Sequence, residues 1–576
     1  MAKYTPLDGT SPKRAPAMGG DASALGIDFG TESARAVLVR ITDGSVLATE
    51  VYPYPHGVID RVLPGTHEPL PPDWALQHPE DWLEALEHLL RQLATDRVVG
   101  IGVAFTSCTV LPTIADGTPL CVLPEYSQEP HAWPKLWKHH AAQPYADRIN
   151  AAASLPGGEF LQWYGGKTSS EWLWAKGWQV LAEAPHVMRA ASRWIEAGDW
   201  IIWQLTGQEV RSACQAGYKA HWQKDSGYPP ASFWTALDPG LPFLLDRLGP
   251  PRPVGTQAGE LTAAWAKRTG LLPGTPVAVA VIDAHAAVPA VGVRQPHQLV
   301  AIMGTSTCHL LVDTVRRPIP GISGVVEDGI LPGLFGYEAG QASVGDLFQW
   351  YVRTGVPEGL APVGSGEAER FRILEERAAR LRPGESGLLA LDWWNGCRTP
   401  LVDADLSGLL VGLTLQTQPH EIYRALLEST AYGMRRVVET FEAGGVAVHE
   451  IIACGGLAER SPLLMQITAD VMDREILVSQ VPHASAVGAA IYAAAAARAG
   501  GDGIAEIIER MGHRNVLRYR PDPEAHRIYN RLYEEYLELA RHFGEGGSSV
   551  MKRLRALRMA VRQEEGQRGG ERRVRS

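Results

Sequence analysis

The stretch that decides the fold is Leu25-Gly-Ile-Asp28-Phe-Gly30-Thr31-Glu-Ser33-Ala-Arg35-Ala-Val-Leu-Val-Arg-Ile41. Leu25–Asp28 is apolar and ends in a glycine-containing loop, and Ala34–Ile41, rich in Val and Leu, follows at once. Two β-strands joined by a tight turn are predicted. The Asp43-Gly44 turn leads into a third strand, Val46–Tyr52. Further on, Trp82, Leu86, Leu89 and Leu93 recur at the spacing of an amphipathic helix over Pro79–Leu93, and Val98–Phe105 returns to a buried strand. Three hairpin-linked strands, a helix and a strand open a ribonuclease-H-like α/β unit.

A comparable succession begins later. Pro276–Ile282 reads as a strand leading into Asp283, and Gln298–Met303 and Cys308–Val312 flank a glycine-containing turn. Glu421–Phe441 reads as a long helix, Glu450–Cys454 as a strand, and Pro462 as the start of another helix. Glu475–Val478 is a further strand, and the Ala-rich Ser485–Ala497 a packed helix. The expected architecture is therefore α/β, with two ribonuclease-H-like domains. The expected division is a flexible leader over 1–22, a first domain over 23–272, a second over 273–545 and a basic tail over 546–576, with the boundary near Leu271–Gly274.

Bulk properties agree with two large domains. A chain of 576 residues exceeds what one core supports. With 45% hydrophobic and 20% charged residues the composition is that of a soluble globular protein, and no apolar run reaches the ~20 residues of a membrane span. The polar Met1–Asp21 segment lacks the apolar stretch of a secretory signal. A net charge of −10 argues against nucleic-acid binding, although Lys552, Arg553, Arg555, Arg558, Arg562, Arg572, Arg573 and Arg575 make the end of the chain basic, which reads as a solvated tail. Six scattered cysteines with no C-x-x-C pair suggest a reducing, cytoplasmic setting rather than disulfides or zinc.

Three motifs carry chemistry. In the opening stretch, Gly30 permits close backbone approach, Thr31 and Ser33 offer donors, and Asp28 at a strand end suits Mg²⁺ held through water. Neither G-K-[ST] nor G-x-G-x-x-G is present. In Val281-Ile-Asp283-Ala-His285, followed by Gly304-Thr305-Ser-Thr307, Asp283 suits the acceptor of a hydroxyl proton and the glycine turn suits phosphate. His285 beside that strand end reads as a packed residue. In Ala453-Cys-Gly455-Gly456-Leu-Ala-Glu-Arg460-Ser-Pro, a double glycine between strand and helix lets a nucleotide approach the backbone. Each motif alone is also an ordinary turn.

Together and in this order they resemble the FGGY carbohydrate kinases of the actin/Hsp70-like ATPase superfamily, over nearly all of Ala24–Glu535, which implies that the two domains face each other across a cleft. The resemblance narrows to the ribulokinase branch at Lys135-Leu-Trp-Lys-His-His140, Gly165-Gly-Lys-Thr-Ser-Ser-Glu-Trp172, Ala216-Gly-Tyr-Lys219-Ala-His-Trp222, Ile302-Met-Gly-Thr-Ser-Thr-Cys308, Gly336-Tyr-Glu338-Ala-Gly-Gln341 and Leu391-Asp-Trp-Trp-Asn-Gly396. It implies ATP and Mg²⁺ as cofactors, with ATP-dependent phosphorylation of L-ribulose to L-ribulose 5-phosphate in L-arabinose catabolism. By the same resemblance Asp283 is the general base, and Asp28 and Asp283 lie near Mg²⁺. Thr31, Gly304 and Thr305 line the phosphates. Gly455, Gly456 and Arg460 border the adenosine, and Ser107, Lys219 and Glu338 contact the sugar. The Trp-rich Trp163–Trp178 stretch reads as core or interface, and Trp137 as a candidate neighbour of the pocket. The partner is a small ketose, without nucleic acid or membrane, and the family admits a homodimer. One position departs: Ala104 stands where many ribulokinases carry Asp, which leaves open a kinase for D-ribulose, xylulose or ribitol. A non-catalytic, nucleotide-gated sugar sensor is a further alternative. A chaperone-type ATPase would need a peptide-binding domain for which the chain has no room after its second unit.

Overall fold

The computed structural model of the chain describes residues 22–360, 362, 364–498, 501–558 and 560–561. The leader expected over 1–22 thus lies outside the described residues except for Ala22, as do the tail residues Arg562, Arg572, Arg573 and Arg575.

The first sheet is built as the opening stretch requires. Strands β1 (Ser23–Phe29), β2 (Ser33–Arg40) and β3 (Val46–Pro53) form an antiparallel meander, and β4 (Val98–Phe105) joins β1 in parallel. Then come β5 (Gln257–Glu260), β6 (Pro276–Ala278) and β7 (Val281–Ile282), and the order is β3-β2-β1-β4-β6-β5 with β7 also on β4. The second sheet holds β8 (Gln298–Met303), β9 (Thr307–Asp313), β10 (Gly324–Glu327), β11 (Phe335–Gln341), β12 (Glu450–Cys454), β13 (Ile476–Ser479) and β14 (Val516–Tyr519), ordered β10-β11-β9-β8-β12-β13-β14. Its β11-β9-β8-β12-β13 core repeats the β3-β2-β1-β4-β6 path of the first sheet, an antiparallel meander continued by parallel strands. The duplication expected from sequence is present.

The boundary expected near Leu271–Gly274 falls too early. Both β6 and β7 pair with β4, so the first sheet draws strands from as far as Ile282. The single strand expected over Pro276–Ile282 is broken into these two short pieces. In the described part of the tail, residues 550–558 are helical and mostly exposed, as a solvated tail would be; Met551 is buried, and Lys552 and Arg555 pair with Asp403 (2.5 Å) and Asp405 (3.2 Å).

The helices that matter here are α1 (Pro79–Leu93), α2 (Ala213–Lys219), α3 (Asp283–Ala290), α4 (Pro419–Ala443), α5 (Gly456–Arg460), α6 (Pro462–Met472), α7 (Ala484–Ala496) and α8 (Pro523–Gly544). Helix α1 covers the outer face of the first sheet, burying Trp82, Leu86, Leu89 and Leu90 against Leu25, Ile27 and Phe29 of β1. Helices α4, α6 and α8 cover the outer face of the second. Helices α3 and α7 lie between the sheets, in a core shared by Val37, Val39 and Ala104 of the first with Val300, Leu310 and Ile452 of the second. A segment inserted between β4 and β5 has a core of its own, in which the Trp174 and Trp234 rings stack at 4.0 Å. The Trp-rich stretch is core there: Trp174 and Trp178 are buried.

Helix α7 presses on glycines. A Cβ on Gly26 would lie 1.8 Å from the Ala486 carbonyl oxygen, one on Gly102 1.9 Å from that of Ala489, and one on Gly100 2.6 Å from that of Ala493. On the other side of α7, a Cβ on Gly488 would lie 1.6 Å from the Ala286 carbonyl oxygen of α3. The Ala-rich face is thus explained by backbone-to-backbone packing that leaves no room for a methyl group. Gly102→Ala is expected to destabilise the protein by ~2–3 kcal/mol, at the upper end of overpacking costs. Thermal denaturation checks it, and a midpoint equal to that of the unsubstituted protein would remove this account of α7.

Candidate active site

Asp28 is the sixth residue of β1, and its register partners are Arg35 on β2 and Ala104 on β4. Ala104 in turn pairs with Val281 of β7, two residues before Asp283 opens α3. Alternation along strands therefore sets Asp28, Ala104 and Val281 in one row at the strand ends. Burial raises the Asp28 carboxyl to about 6, with the Arg35 guanidinium, 3.6 Å away, opposing. Burial and the neighbouring Asp28 charge raise Asp283 to about 7, although Asp283 Oδ1 accepts a hydrogen bond from the Ala284 N–H (2.7 Å). Asp28 Oδ1 is buried with no protein partner. Two elevated carboxylates, one with an orphaned oxygen, form a hard-oxygen donor set of the kind that suits Mg²⁺.

Lys219 ends α2, whose N-terminus is capped by the Ser212 hydroxyl accepting from the Cys214 and Gln215 N–H groups. Its ammonium donates to both Glu338 oxygens, at 2.8 and 2.9 Å, across 119 residues of chain. Glu338 sits on β11, and His285 Nε2 lies 3.3 Å from its Oε2. Burial alone would raise Glu338, yet Lys219 holds it far below the usual carboxylate range, while Glu338 carries Lys219 upward against the effect of burial. The pair is charged and closed on itself. His285 is buried against the Tyr218 ring at 4.4 Å and pushed below its ordinary pKa by burial, which agrees with the packed role expected of it. The alternative that Glu338 pairs with an Arg gives way to this lysine.

The glycine turns occupy corresponding places in the two sheets. Gly30 N–H donates to Ser33 O (2.9 Å) in the β1–β2 hairpin, and Gly304 N–H donates to Ser306 O (3.0 Å) in the β8–β9 hairpin. Gly304 and Thr305 are exposed, and Gly345 N–H donates to both of their carbonyls. Because β8 and β12 are parallel, Gly455 falls beside the end of β8. It adopts φ +92°, and a Cβ there would lie 2.8 Å from Met303 O. Arg460 folds back over Gly456, its Nη2 2.9 Å from where a Cβ would stand. Thus Gly304, Thr305, Gly455, Gly456 and Arg460 form one neighbourhood, and Asp28, Asp283, Lys219 and Glu338 another. Ser107 follows β4 and is half-buried, next to Cys108, which holds φ +59°.

The structure adds residues that the sequence did not single out. Thr31 is pinned twice: the Trp137 indole N–H donates to its hydroxyl (3.1 Å) and the Gln77 amide to its carbonyl (2.8 Å). Lys176, fully buried, donates to Cys108 O (2.6 Å) and Leu136 O (2.7 Å), tying the Ser107–Cys108 loop to the segment that carries Trp137. Burial lowers the Lys176 ammonium to about 8 and raises the nearby Glu196 carboxyl to about 8. A lone lysine within the apolar Leu173–Glu183 helix was the available signal.

Two facing sheets of the same topology, a carboxylate pair at strand ends and a glycine hairpin at the matching place of each sheet define a phosphotransferase of the actin/Hsp70-like class. Comparison with known proteins narrows this. The chain matches the FGGY family of carbohydrate kinases, C-terminal domain, over residues 299–497. It is 52% identical to a ribulokinase of Geobacillus thermodenitrificans over 543 residues, covering 92% of this chain and 96% of that one. It is 46% identical to a ribulokinase of Mycolicibacterium smegmatis, covering 93% and 96%. The fold superposes on a xylulose kinase from Rhodospirillum rubrum with a TM-score of 0.74 and 26% identity, covering 90% of this chain and 98% of that one. The chain belongs to the FGGY carbohydrate kinases, within their ribulokinase branch.

Lys219→Met is expected to leave the Glu338 carboxylate buried without its cation and to cost about 3–5 kcal/mol. Adding Glu338→Gln should recover much of that loss. Denaturant unfolding of the two single variants and the double reads this, and additive losses would mean that the pair does not couple.

Proposed function

We propose that the chain transfers the γ-phosphoryl group of ATP to the terminal O5 hydroxyl of L-ribulose, giving L-ribulose 5-phosphate. The observation that carries the chemistry is Asp283, a carboxylate raised to about 7 and set at a strand end beside the Lys219–Glu338 pair. What carries the substrate class is the close likeness to ribulokinases over nine-tenths of the chain.

Phosphoryl transfer asks a protein mainly for positioning and for stabilisation of charge. Asp283 accepts the proton of the O5 hydroxyl as that oxygen attacks the γ-phosphorus, and the β,γ-bridging oxygen leaves on ADP. A carboxylate whose pKa lies near neutrality is ionised in part at pH 7 and holds a proton well enough to take one from an alcohol. Asp28 and Asp283 would hold Mg²⁺, whose charge offsets that of the phosphates. The Thr31 hairpin and the Gly304–Thr305 turn offer backbone N–H groups and hydroxyls to the phosphate oxygens, and Gly455, Gly456 and Arg460 border the adenosine. Lys219 and Glu338 face the sugar, with Ser107 at the adjoining loop. Asp28 and Lys219 are buried and Asp283 and Glu338 half-buried, which limits the access of water, the competing phosphoryl acceptor, to the reacting atoms.

Ala104 favours a second reading, in which another ketose or polyol is preferred. A methyl group stands in the row between Asp28 and Val281, where a carboxylate would otherwise help fix the acceptor.

ADP release with Mg-ATP across L-ribulose, D-ribulose, L- and D-xylulose, ribitol and glycerol separates these readings. Turnover is expected to be highest on L-ribulose and to fall by about 10²–10⁴-fold in Asp283→Asn, the range for loss of a positioned base. A different preferred sugar would favour the second reading. Unchanged turnover in the variant would remove Asp283 from the chemistry.

A further inference from the structure

The cleft face of the second sheet carries a cation that this mechanism leaves without a task. Beyond the end of β10, the chain at Thr399 takes the place beside β11. Thr399 N–H donates to Gly340 O (3.2 Å), and Gly340 N–H donates to the Thr399 hydroxyl (3.3 Å). Glu338 and Gly340 share a face of β11 by the two-residue alternation of strands, and Cys308 on β9 is the partner of Gly340. Arg398 runs over that face: a Cβ on Gly340 would meet its Cδ at 3.3 Å. The guanidinium reaches toward the inserted segment of the first half, where Nη2 lies 3.3 Å from Glu171 Oε1. Among the described residues, Arg398 Nε and Nη1 donate no hydrogen bond, and the side chain is 37% exposed.

This free edge matters because the neighbouring charges are already engaged. Both Glu338 oxygens accept from Lys219, and His285 lies against one of them. A ketose presents several oxygens, and a pocket that reads them needs donors not used elsewhere. A guanidinium offers N–H groups in one fixed plane, spaced to grip two neighbouring oxygens.

We propose that Arg398 is a further substrate-binding residue, whose free Nε–Nη1 edge donates to oxygens of the ketose while Glu171 holds the opposite edge. The proposal rests on the ketose-kinase reading. Its competitor is an Arg398 that serves only as a brace between the two halves.

Calorimetric titration of L-ribulose and its 1-deoxy, 3-deoxy and 4-deoxy analogues into the full chain, Arg398→Met, Arg398→Lys and Glu171→Gln decides between them. Thermal midpoints and ATP affinity run alongside. Arg398→Met is expected to weaken L-ribulose binding about 10- to 100-fold, the range for a hydrogen bond from a charged donor, with ATP affinity and midpoint retained. For the analogue that lacks the contacted oxygen, the full chain and Arg398→Met should bind alike, and Arg398→Lys should restore part of the loss. An equal loss on every analogue, a loss reproduced in full by Glu171→Gln, or no loss would each overturn the assignment. Failure of the unsubstituted chain to bind or turn over any ribulose would instead overturn the ketose reading, so the two failures are told apart.

Discussion

The contact on which the molecule depends is that of helix α7 with glycines of the first sheet. Carbonyl oxygens of Ala486, Ala489 and Ala493 lie where side chains of Gly26, Gly102 and Gly100 would be, and Gly488 does the same for α3. Backbones brought this near bind by many small dispersion contacts, and no side chain adapts to relieve a misfit. The consequence reaches the chemistry directly. Asp28 follows Gly26 by two residues on the same strand. Asp283 opens α3, the helix that Ala286 holds against α7. One packing contact therefore fixes the two carboxylates relative to each other, and it comes from a helix, Ala484–Ala496, that lies far beyond both of them in the chain.

Of the four charged side chains of the site, Asp28 and Lys219 are buried and Asp283 and Glu338 half-buried, and they divide into two pairs with opposite electrostatics. Lys219 and Glu338 satisfy one another, so each charge is stabilised at the other's expense of reach, and the pair serves as a fixed polar wall. Asp28 and Asp283 have like charges, and burial pushes both carboxyls toward neutrality. An unpaired buried carboxylate is costly unless something joins it. The imbalance marks the place that a divalent cation and a hydroxyl proton would complete.

Much of this was legible in the sequence, because hydrophobic periodicity is local. The limits of Pro79–Leu93, Val98–Phe105, Gln298–Met303 and Glu450–Cys454 follow from their apolar patterns and the turn residues beside them. What was not legible is non-local. The early boundary at Gly274 came from treating the segment before Asp283 as a beginning, whereas β6 and β7 complete the first sheet by pairing with β4. Lys219 and Glu338 were named singly, but nothing in either neighbourhood says that they meet across 119 residues. Lys176 and Arg398 went unmarked for the same reason: the carbonyls that bind one and the open face beneath the other are assembled from distant segments.

The Ala104 position bears on where selectivity is written. Its register neighbours are Asp28 and Val281, so a carboxylate there would stand directly beside Asp28 in a buried row. Like charges at such spacing raise one another's pKa, and a third acid would compete with Asp283 for the proton that the reaction has to move. With alanine, the row at the strand ends holds Asp28 of the first sheet, with Arg35 beside it, and Asp283 just beyond the sheet at the start of α3. Under the proposed function, hydroxyl recognition falls to side chains from Lys219 onward in the sequence, with Glu338 as acceptor and the loop at Arg398 as a source of donors. On that reading the carboxylates at the ends of the first sheet's strands set the chemistry, and the second half, with α2 leaning against it, sets which sugar is admitted.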